Sequence, residues 1–402
     1  MKKPHYAWFI CLGGALALMI SMGLGANVFG IYQPEILAQN GFTNAQGSWI
    51  VTTRSLFILG TLLCVNRICA WLGLRVTITL GMLLVGLGCF SFGLSKSFPM
   101  YCFSAAITGI GYCLGGMVPL SLIISTWFTA RRSFALGLSS AGSGISTIFV
   151  PPVVTLLIRT YGLKTAFFCE GAFILAVTAA TWFLLRDHPS DLGLDSYGGE
   201  DLPPPAVQQG SSAHSPLMTF AILLASFLLG GPLGPAFSHL TVLFNSKGFD
   251  SMIVAGLISY MGLALCVGKI LSGQLYDRLG GLKTNYCIFL SYLAGLLLCA
   301  TASANHIILA FLAITVFSFG VSVCAVSPAV WAGDLASPET YPKLLRMITM
   351  SYTFGMLVSG PIPGILADRT GSYVPAYLLF ALLLLSAMLL VQSVYHTLER
   401  RR

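Results

Sequence analysis

The sequence predicts an all-α membrane protein of twelve transmembrane helices in two six-helix bundles, with both termini in the cytoplasm. Three observations predict it. Of 402 residues, 56% are hydrophobic and only 8% charged, and the mean hydropathy of +0.85 lies outside the range of water-soluble domains of this length. Apolar stretches of about 20 residues, the length a helix needs to cross roughly 30 Å of hydrocarbon, recur along the whole chain. The basic residues alternate from one connecting loop to the next rather than gathering in one patch.

The first span, 7–32, is too long for a signal peptide and lacks a small-residue cleavage site, so it stays as a helix. Spans 46–67, 76–95, 100–126, 134–158 and 166–185 complete the first bundle. A second set follows at 217–244, 251–275, 284–304, 307–331, 346–366 and 373–395. Orientation comes from the loops. Of the 21 Lys and Arg, fourteen fall on the side of the amino terminus: Lys2, Lys3, Arg67, Arg75, Arg131, Arg132, Arg186, Arg278, Lys283, Lys343, Arg346 and Arg400 to Arg402. Five fall on the other side: Lys96, Arg159, Lys164, Lys247 and Arg369. That bias places both termini in the cytoplasm. The net charge of +8 therefore reads as membrane orientation and not as nucleic-acid binding. The lipid bilayer is the partner it implies.

Between the halves, residues 186–216 hold Asp187, Asp191, Asp195, Glu200, Asp201, the Pro203-Pro204-Pro205 run and Gly210-Ser211-Ser212. Such a segment buries no core and is expected to be an exposed, partly disordered cytoplasmic linker. It divides the chain into an amino-terminal bundle, 1–185, and a carboxy-terminal bundle, 217–402. Pro119 and Pro328 in the fourth and tenth spans, and Gly73 and Gly280 after the second and eighth, correspond between the halves. Two related bundles of this kind are a transporter architecture. The eleven cysteines lie within spans or at their ends, include no CxxC, and read as small buried hydrophobes. No metal or cofactor is expected. The chain also lacks HExxH, GxSxG, a nucleotide-binding loop and paired membrane aspartates, which argues against an enzyme.

Two cations remain, Arg54 and Lys269, each inside an apolar run. An ionisable side chain at membrane depth costs at least a few kcal/mol, so it is kept where it meets a cavity, a partner or a ligand. Lys269 lies eight residues before Asp277, about 12 Å from the cytoplasmic end of its helix. Arg54 lies eight residues after Gln46, about 12 Å below the outer surface. Glu170, in the sixth span, is the intramembrane acid available to Arg54, and the sequence leaves open whether Arg54 binds substrate or pairs with it.

The loop after the eighth span, Gly273-Gln-Leu-Tyr-Asp277-Arg278-Leu-Gly280-Gly-Leu-Lys283, resembles the GxLxDRxGxxK signature of the major facilitator superfamily, whose acid and base latch helices on the cytoplasmic side. The matching loop after the second span keeps Gly73 and the base Arg75 but has Ala70 where the acid would stand. A narrower match runs from Trp127-Phe128 through Arg131-Arg132, Ala135, Gly137 and Ala141-Gly142-Ser143. It is similar to the WFxxRRxxAxGLxxAGS stretch of the monocarboxylate porters and the oxalate/formate exchangers. The stretch from Ser359-Gly360-Pro361 to Asp368-Arg369 and Gly371 resembles those families again.

The resemblance implies that Lys269 takes the place of the arginine that holds a substrate carboxylate in the eighth span. A guanidinium grips carboxylate bidentately, whereas an ammonium is a point charge, so the lysine implies looser geometric selection. The porters' coupling aspartate is replaced by Leu265 and their first-span lysine is missing, which weakens proton symport. His239 and Glu170 remain as candidates for carrying a proton. The exchangers' second cation has no counterpart in Met350 to Gly355, which disfavours oxalate exchange of that type. Tyr112 and Tyr352, then Asn27, Ser143 and Ser327, are the candidate partners for the anion, each able to donate a hydrogen bond; each is equally able to fill space between helices.

The expected function is secondary transport of a small organic anion, first of all a monocarboxylate of the lactate, pyruvate or formate type, by alternating access. A counter-anion or a proton would be the coupled species, and the carrier would act as a monomer in the cell membrane. Oxalate/formate exchange, proton-coupled drug export and a non-transporting anion sensor are the alternatives.

Overall fold

A computed structural model describes residues 5–42, 44–198, 216–304 and 306–401. The linker stretch from Glu200 to Ser212 lies outside the described residues. Among them, nine helices are long and apolar enough to cross a membrane. Two of the nine run through a kink, at Gly162 and at Gly280. An eleventh-span helix, 341–370, carries Lys343 and Arg346 in its opening turns and supplies the remaining crossing. The twelve are α1 (7–40), α2 (Asn44–Leu72), α3 (Leu74–Leu94), α4 (98–127), α5 (132–161), α6 (163–184), α7 (216–246), α8 (251–279), α9 (281–301), α10 (307–335), α11 (341–370) and α12 (Val374–Arg401).

The chain divides into two compact units, 1–203 and 204–402. In the first, α1 packs on α5, α2 on α4, and α3 on α4 and α6. In the second, α7 packs on α11, α8 on α10, and α9 on α10 and α12. The same helix pairs thus recur six places later, and the tightest crossings match. A Cβ on Gly142 of α5 would lie 2.0 Å from the Ala15 carbonyl of α1, and one on Gly355 of α11 would lie 2.0 Å from the Phe227 carbonyl of α7. With no side chain between them, the backbones themselves touch, which is how helices adhere where lipid supplies no hydrophobic drive.

Gly73 (φ 82°) and Gly280 (φ 74°) both hold a positive φ with extended ψ. Only glycine adopts that backbone without strain, so the sequence correspondence between these positions is a shared bend. The fourth helix of each unit is also interrupted. α4 breaks at Gly115–Gly116, ahead of Pro119, and α10 breaks at Ser322, ahead of Pro328.

α1 departs from regular α geometry: Met19–Asn27 is a π-helix, closed where the Val28 amide donates to the Gly23 carbonyl. Such widened turns occur chiefly at functional positions. Toward the carboxy terminus of α9, the Lys247 ammonium donates to the carbonyls of Cys299, Ala300 and Ala302, meeting a helix end whose carbonyls lack partners of their own.

The first part of the expected linker has contacts of its own. Residues 186–198 remain on the amino-terminal unit, although 190–195 are all exposed. The Trp127 indole donates to the Arg186 carbonyl at 2.9 Å, the Tyr197 amide donates to the Trp127 carbonyl at 2.9 Å, and the Thr129 amide donates to the Tyr197 carbonyl at 3.1 Å. The Tyr197 ring packs edge-on against Trp8 at 5.4 Å. The aspartates dominate the composition of this segment, but Tyr197 fastens it.

Candidate functional site

In the amino-terminal unit the site is built on the π-helix. Arg54, half-buried on α2, donates from Nη1 to the Gly25 carbonyl at 3.0 Å, and its Cζ lies 5.4 Å from the Phe29 ring centroid. A π segment shifts the hydrogen-bond ladder, and here a carbonyl on it receives a charged donor. Gly109 of α4 brings that helix onto Arg54: a Cβ there would lie 2.5 Å from the Arg54 carbonyl. One turn further along α4, Tyr112 is within electrostatic reach of the guanidinium. Arg54 and Tyr112 are therefore brought together, as candidates from different spans must be if they share a ligand.

Glu170 goes elsewhere. It is buried on α6; its Oε2 accepts from the Tyr32 hydroxyl at 2.5 Å, and its Oε1 has no hydrogen-bond partner among the described residues. Tyr32 stacks on Phe167 at 4.0 Å, Phe167 on Phe92 at 5.4 Å, and Phe92 packs on Phe29 at 5.2 Å. An aromatic wall thus stands between the acid and Arg54, which faces the other end of it through Phe29.

The remaining amino-terminal candidates lie where α1 crosses α5. The exposed Asn27 donates from Nδ2 to Thr147 Oγ1 at 3.2 Å. Ser143 is buried and its hydroxyl donates to the Ser140 carbonyl at 2.9 Å, within its own helix.

In the carboxy-terminal unit, Lys269 is 7% exposed in the middle of α8. Cys266 lies one turn before it on α8, and Cys324 of α10 is within its electrostatic range. Cys324 also lines a small cleft between α7, α10 and α11. The wall of that cleft is largely apolar, with Leu229, Leu233, Val323 and Ile348 on it, and Tyr352 stands at it. Tyr352 and Cys324 thus line the same recess, and Cys324 is also within electrostatic range of Lys269, which is not itself on the wall.

Ser327 is engaged by α8. It is fully buried, hydrogen-bonded at 2.7 Å to the Tyr276 hydroxyl, which in turn donates to Asn285 Oδ1 at 2.6 Å; the Trp331 indole donates to the same oxygen at 3.1 Å. This network ties α8, α9 and α10 together. His239 sits at a break in α7, its Nδ1 3.0 Å from the Pro235 carbonyl, with the Tyr373 ring at 6.1 Å.

At the cytoplasmic loops, Gly273 is buried while Asp277, Arg278 and Gly280 are exposed. Around Gly73 the arrangement is tighter. The Arg75 side chain donates from Nε and Nη2 to the Trp182 carbonyl and lies 4.0 Å over the Trp182 ring. The Arg75 amide donates to Asp187 Oδ1 at 2.6 Å.

Sequence reasoning did not find Gly25 as a ligand for Arg54, nor the Cys266 and Cys324 thiols beside Lys269, nor Asp187. A carbonyl carries no residue signal, and the thiols read individually as apolar filling. The adjacency of Gly23 and Gly25 was the available hint of an irregular helix.

Residues 14–341 match the family model described as Major Facilitator Superfamily. The chain is 27% identical to monocarboxylate transporter 12 of Xenopus laevis, covering 98% of this chain and 90% of that protein. It is 28% identical to monocarboxylate transporter 12-B of Danio rerio, with 82% and 76% covered. Among solved structures, the proton:xylose symporter XylE shares the fold with a TM-score of 0.74 at 13% identity, over 96% of this chain and 94% of that one. The E. coli fucose:proton symporter FucP does so with a TM-score of 0.69 at 16% identity, over 97% and 98%. Twelve helices in two repeated sets, the paired glycine bends and a family match over most of the length lead to one conclusion: the chain belongs to the major facilitator superfamily and is a multi-pass membrane transporter, not an enzyme.

Proposed function

We propose that this transporter carries a small organic anion, first of all a monocarboxylate, and that Lys269 holds the carboxylate. The observation that carries the reading is the position of Lys269, buried at mid-helix within electrostatic range of Cys324, which lines an apolar cleft together with Tyr352. The names of the similar proteins, monocarboxylate transporters 12 and 12-B, support the same substrate class. An ammonium fixes a carboxylate by charge without demanding a bidentate geometry, so selection falls to the wall that receives the rest of the molecule. Arg54 is the corresponding cation of the amino-terminal bundle, with Tyr112 beside it.

The carrier works by alternating access, as a monomer in the cell membrane. Asn27, with its amide on Thr147, is the exposed amino-terminal candidate, whereas Ser143 and Ser327 are buried with hydroxyls bonded to the Ser140 carbonyl and to Tyr276.

The test is purified protein in liposomes, with labelled pyruvate, lactate, formate and oxalate uptake measured with and without internal anion and with and without a pH gradient. Uptake stimulated by internal anion establishes exchange; uptake stimulated by inward protons establishes symport. Failure of all four anions to enter above the protein-free background overturns the substrate class.

A further inference from the structure

The loop between α2 and α3 lacks an acid of its own, and the structure supplies one from another helix. Ala70 stands three residues before Gly73, whereas in the second unit Asp277 stands three residues before Gly280. The two glycines share the same bend, so the comparison is between equivalent places within one molecule. Gly73 is the N-cap of α3 and has no side chain with which to satisfy the first amides of that helix. Asp187, just past the end of α6, does so instead. Its Oδ1 accepts from the Arg75 amide at 2.6 Å, and its Oδ2 occupies the space beside Gly73, where a Cβ would stand 2.8 Å away.

Asp187 is itself held. The Thr126 hydroxyl donates to its carbonyl at 3.2 Å, and the Trp127 indole fixes the preceding Arg186 carbonyl. In the second unit a different contact meets the bend from α12. There the Tyr395 ring packs on Gly281 and its hydroxyl donates to Asp334 Oδ2 at 2.8 Å. Each unit thus places an acid near its bend, Asp277 on α8 in one case and Asp187 beyond α6 in the other.

We propose that Asp187 is the positioning residue of the cytoplasmic loop between α2 and α3, standing in for the acid absent at Ala70. A carboxylate at a helix N-terminus accepts charge-assisted hydrogen bonds and is favoured by the helix dipole. Because Asp187 opens the segment joining the two units, the loop is anchored to that segment and not only to its own helix. The inference concerns how the loop is held and does not depend on which anion is carried.

The experiment compares wild type, Asp187→Asn, and Asp187→Asn with Ala70→Asp, each as the full chain in liposomes. It reads labelled pyruvate uptake and amide hydrogen exchange of residues 73–79. Asp187→Asn is expected to lower maximal uptake about tenfold with KM within about twofold, since the Arg75 amide is left with a neutral acceptor and the charge at the start of α3 is lost. Exchange at the start of α3 rises in the same variant. Ala70→Asp, placed one helical turn before the bend, restores both. If Asp187→Asn alone fails to fold, recovery of folded protein in the double variant supports the proposal, and failure of the double variant to fold overturns it. Wild-type exchange at 73–79 in Asp187→Asn overturns the proposal, as does a double variant that recovers neither uptake nor protection. If wild type itself moves no pyruvate, the substrate class fails instead, and the exchange data and their recovery by Ala70→Asp decide the role of Asp187.

Discussion

The Tyr32 hydroxyl donates to Glu170 Oε2 at 2.5 Å, and this bond gives a buried membrane acid a partner other than Arg54. The choice separates two charges that the sequence left free to pair. Arg54 spends its Nη1 on the Gly25 carbonyl and its flat face on Phe29, with the Phe92 and Phe167 rings between it and the acid.

Tyr32→Phe removes the donor from a carboxyl group whose other oxygen already has no hydrogen-bond partner among the described residues. A loss of roughly 1–3 kcal/mol is expected. Glu170→Gln keeps an acceptor for Tyr32 and is expected to stay within about 1 kcal/mol of wild type. Chemical denaturation in detergent, read by tryptophan fluorescence, separates the two. Recovery of transport in a protein carrying both Arg54→Glu and Glu170→Arg would show that the two residues are a pair after all.

Lys269→Gln removes the charge proposed to anchor the anion while keeping a hydrogen-bond donor on a side chain one atom shorter. Anion binding by isothermal calorimetry is expected to vanish, a loss of more than about tenfold, with the protein still eluting as a single species. Lys269→Arg should retain binding and shift preference toward anions that accept two parallel hydrogen bonds. Wild-type affinity in Lys269→Gln would remove the anchor from the mechanism.

The cleft beside Cys324 makes a prediction about tails. Each methylene that enters an apolar wall contributes about 0.8 kcal/mol, or about fourfold in affinity. Competition against labelled pyruvate should therefore strengthen from formate to propionate to butyrate. Val323→Phe, which fills the recess, should flatten that series while leaving formate unchanged.

Gly109→Val places a side chain where a Cβ already comes within 2.5 Å of the Arg54 carbonyl. Overpacking of this kind costs roughly 1–3 kcal/mol and displaces the guanidinium from Gly25. Reduced thermal stability together with reduced uptake is the expected outcome, and an unchanged melting profile would show that α2 and α4 do not meet there.

Span number and the repeat were legible because each rests on a property spread over many residues: hydropathy, and glycine placed where a bend needs it. Lys269 was legible because a buried ammonium is costly anywhere in a membrane. The kinks at Gly162 and Gly280 were legible only as boundaries between spans, since helix continues on either side of each. What sequence could not give was pairing between distant side chains. The bonds from Ser327 to Tyr276 and from Ser143 to the Ser140 carbonyl, for example, have no signal in either residue's chemistry. Asp187 looked like one charge in a solvated linker, because nothing in its neighbourhood along the chain announces Gly73.

The π-helix at Met19–Asn27 carries a consequence for anyone counting faces on the first span. Residues before it and residues after it follow two different helical phases, offset by the wider turn. A wheel drawn through the whole span would put Ala17 and Tyr32 in false register, and would hide the side of α1 from which Gly25 reaches Arg54. Deleting one residue within the segment should bring the phases together and turn every side chain beyond Val28 out of its present seat. The span would still cross the membrane, but Tyr32 would no longer point at Glu170.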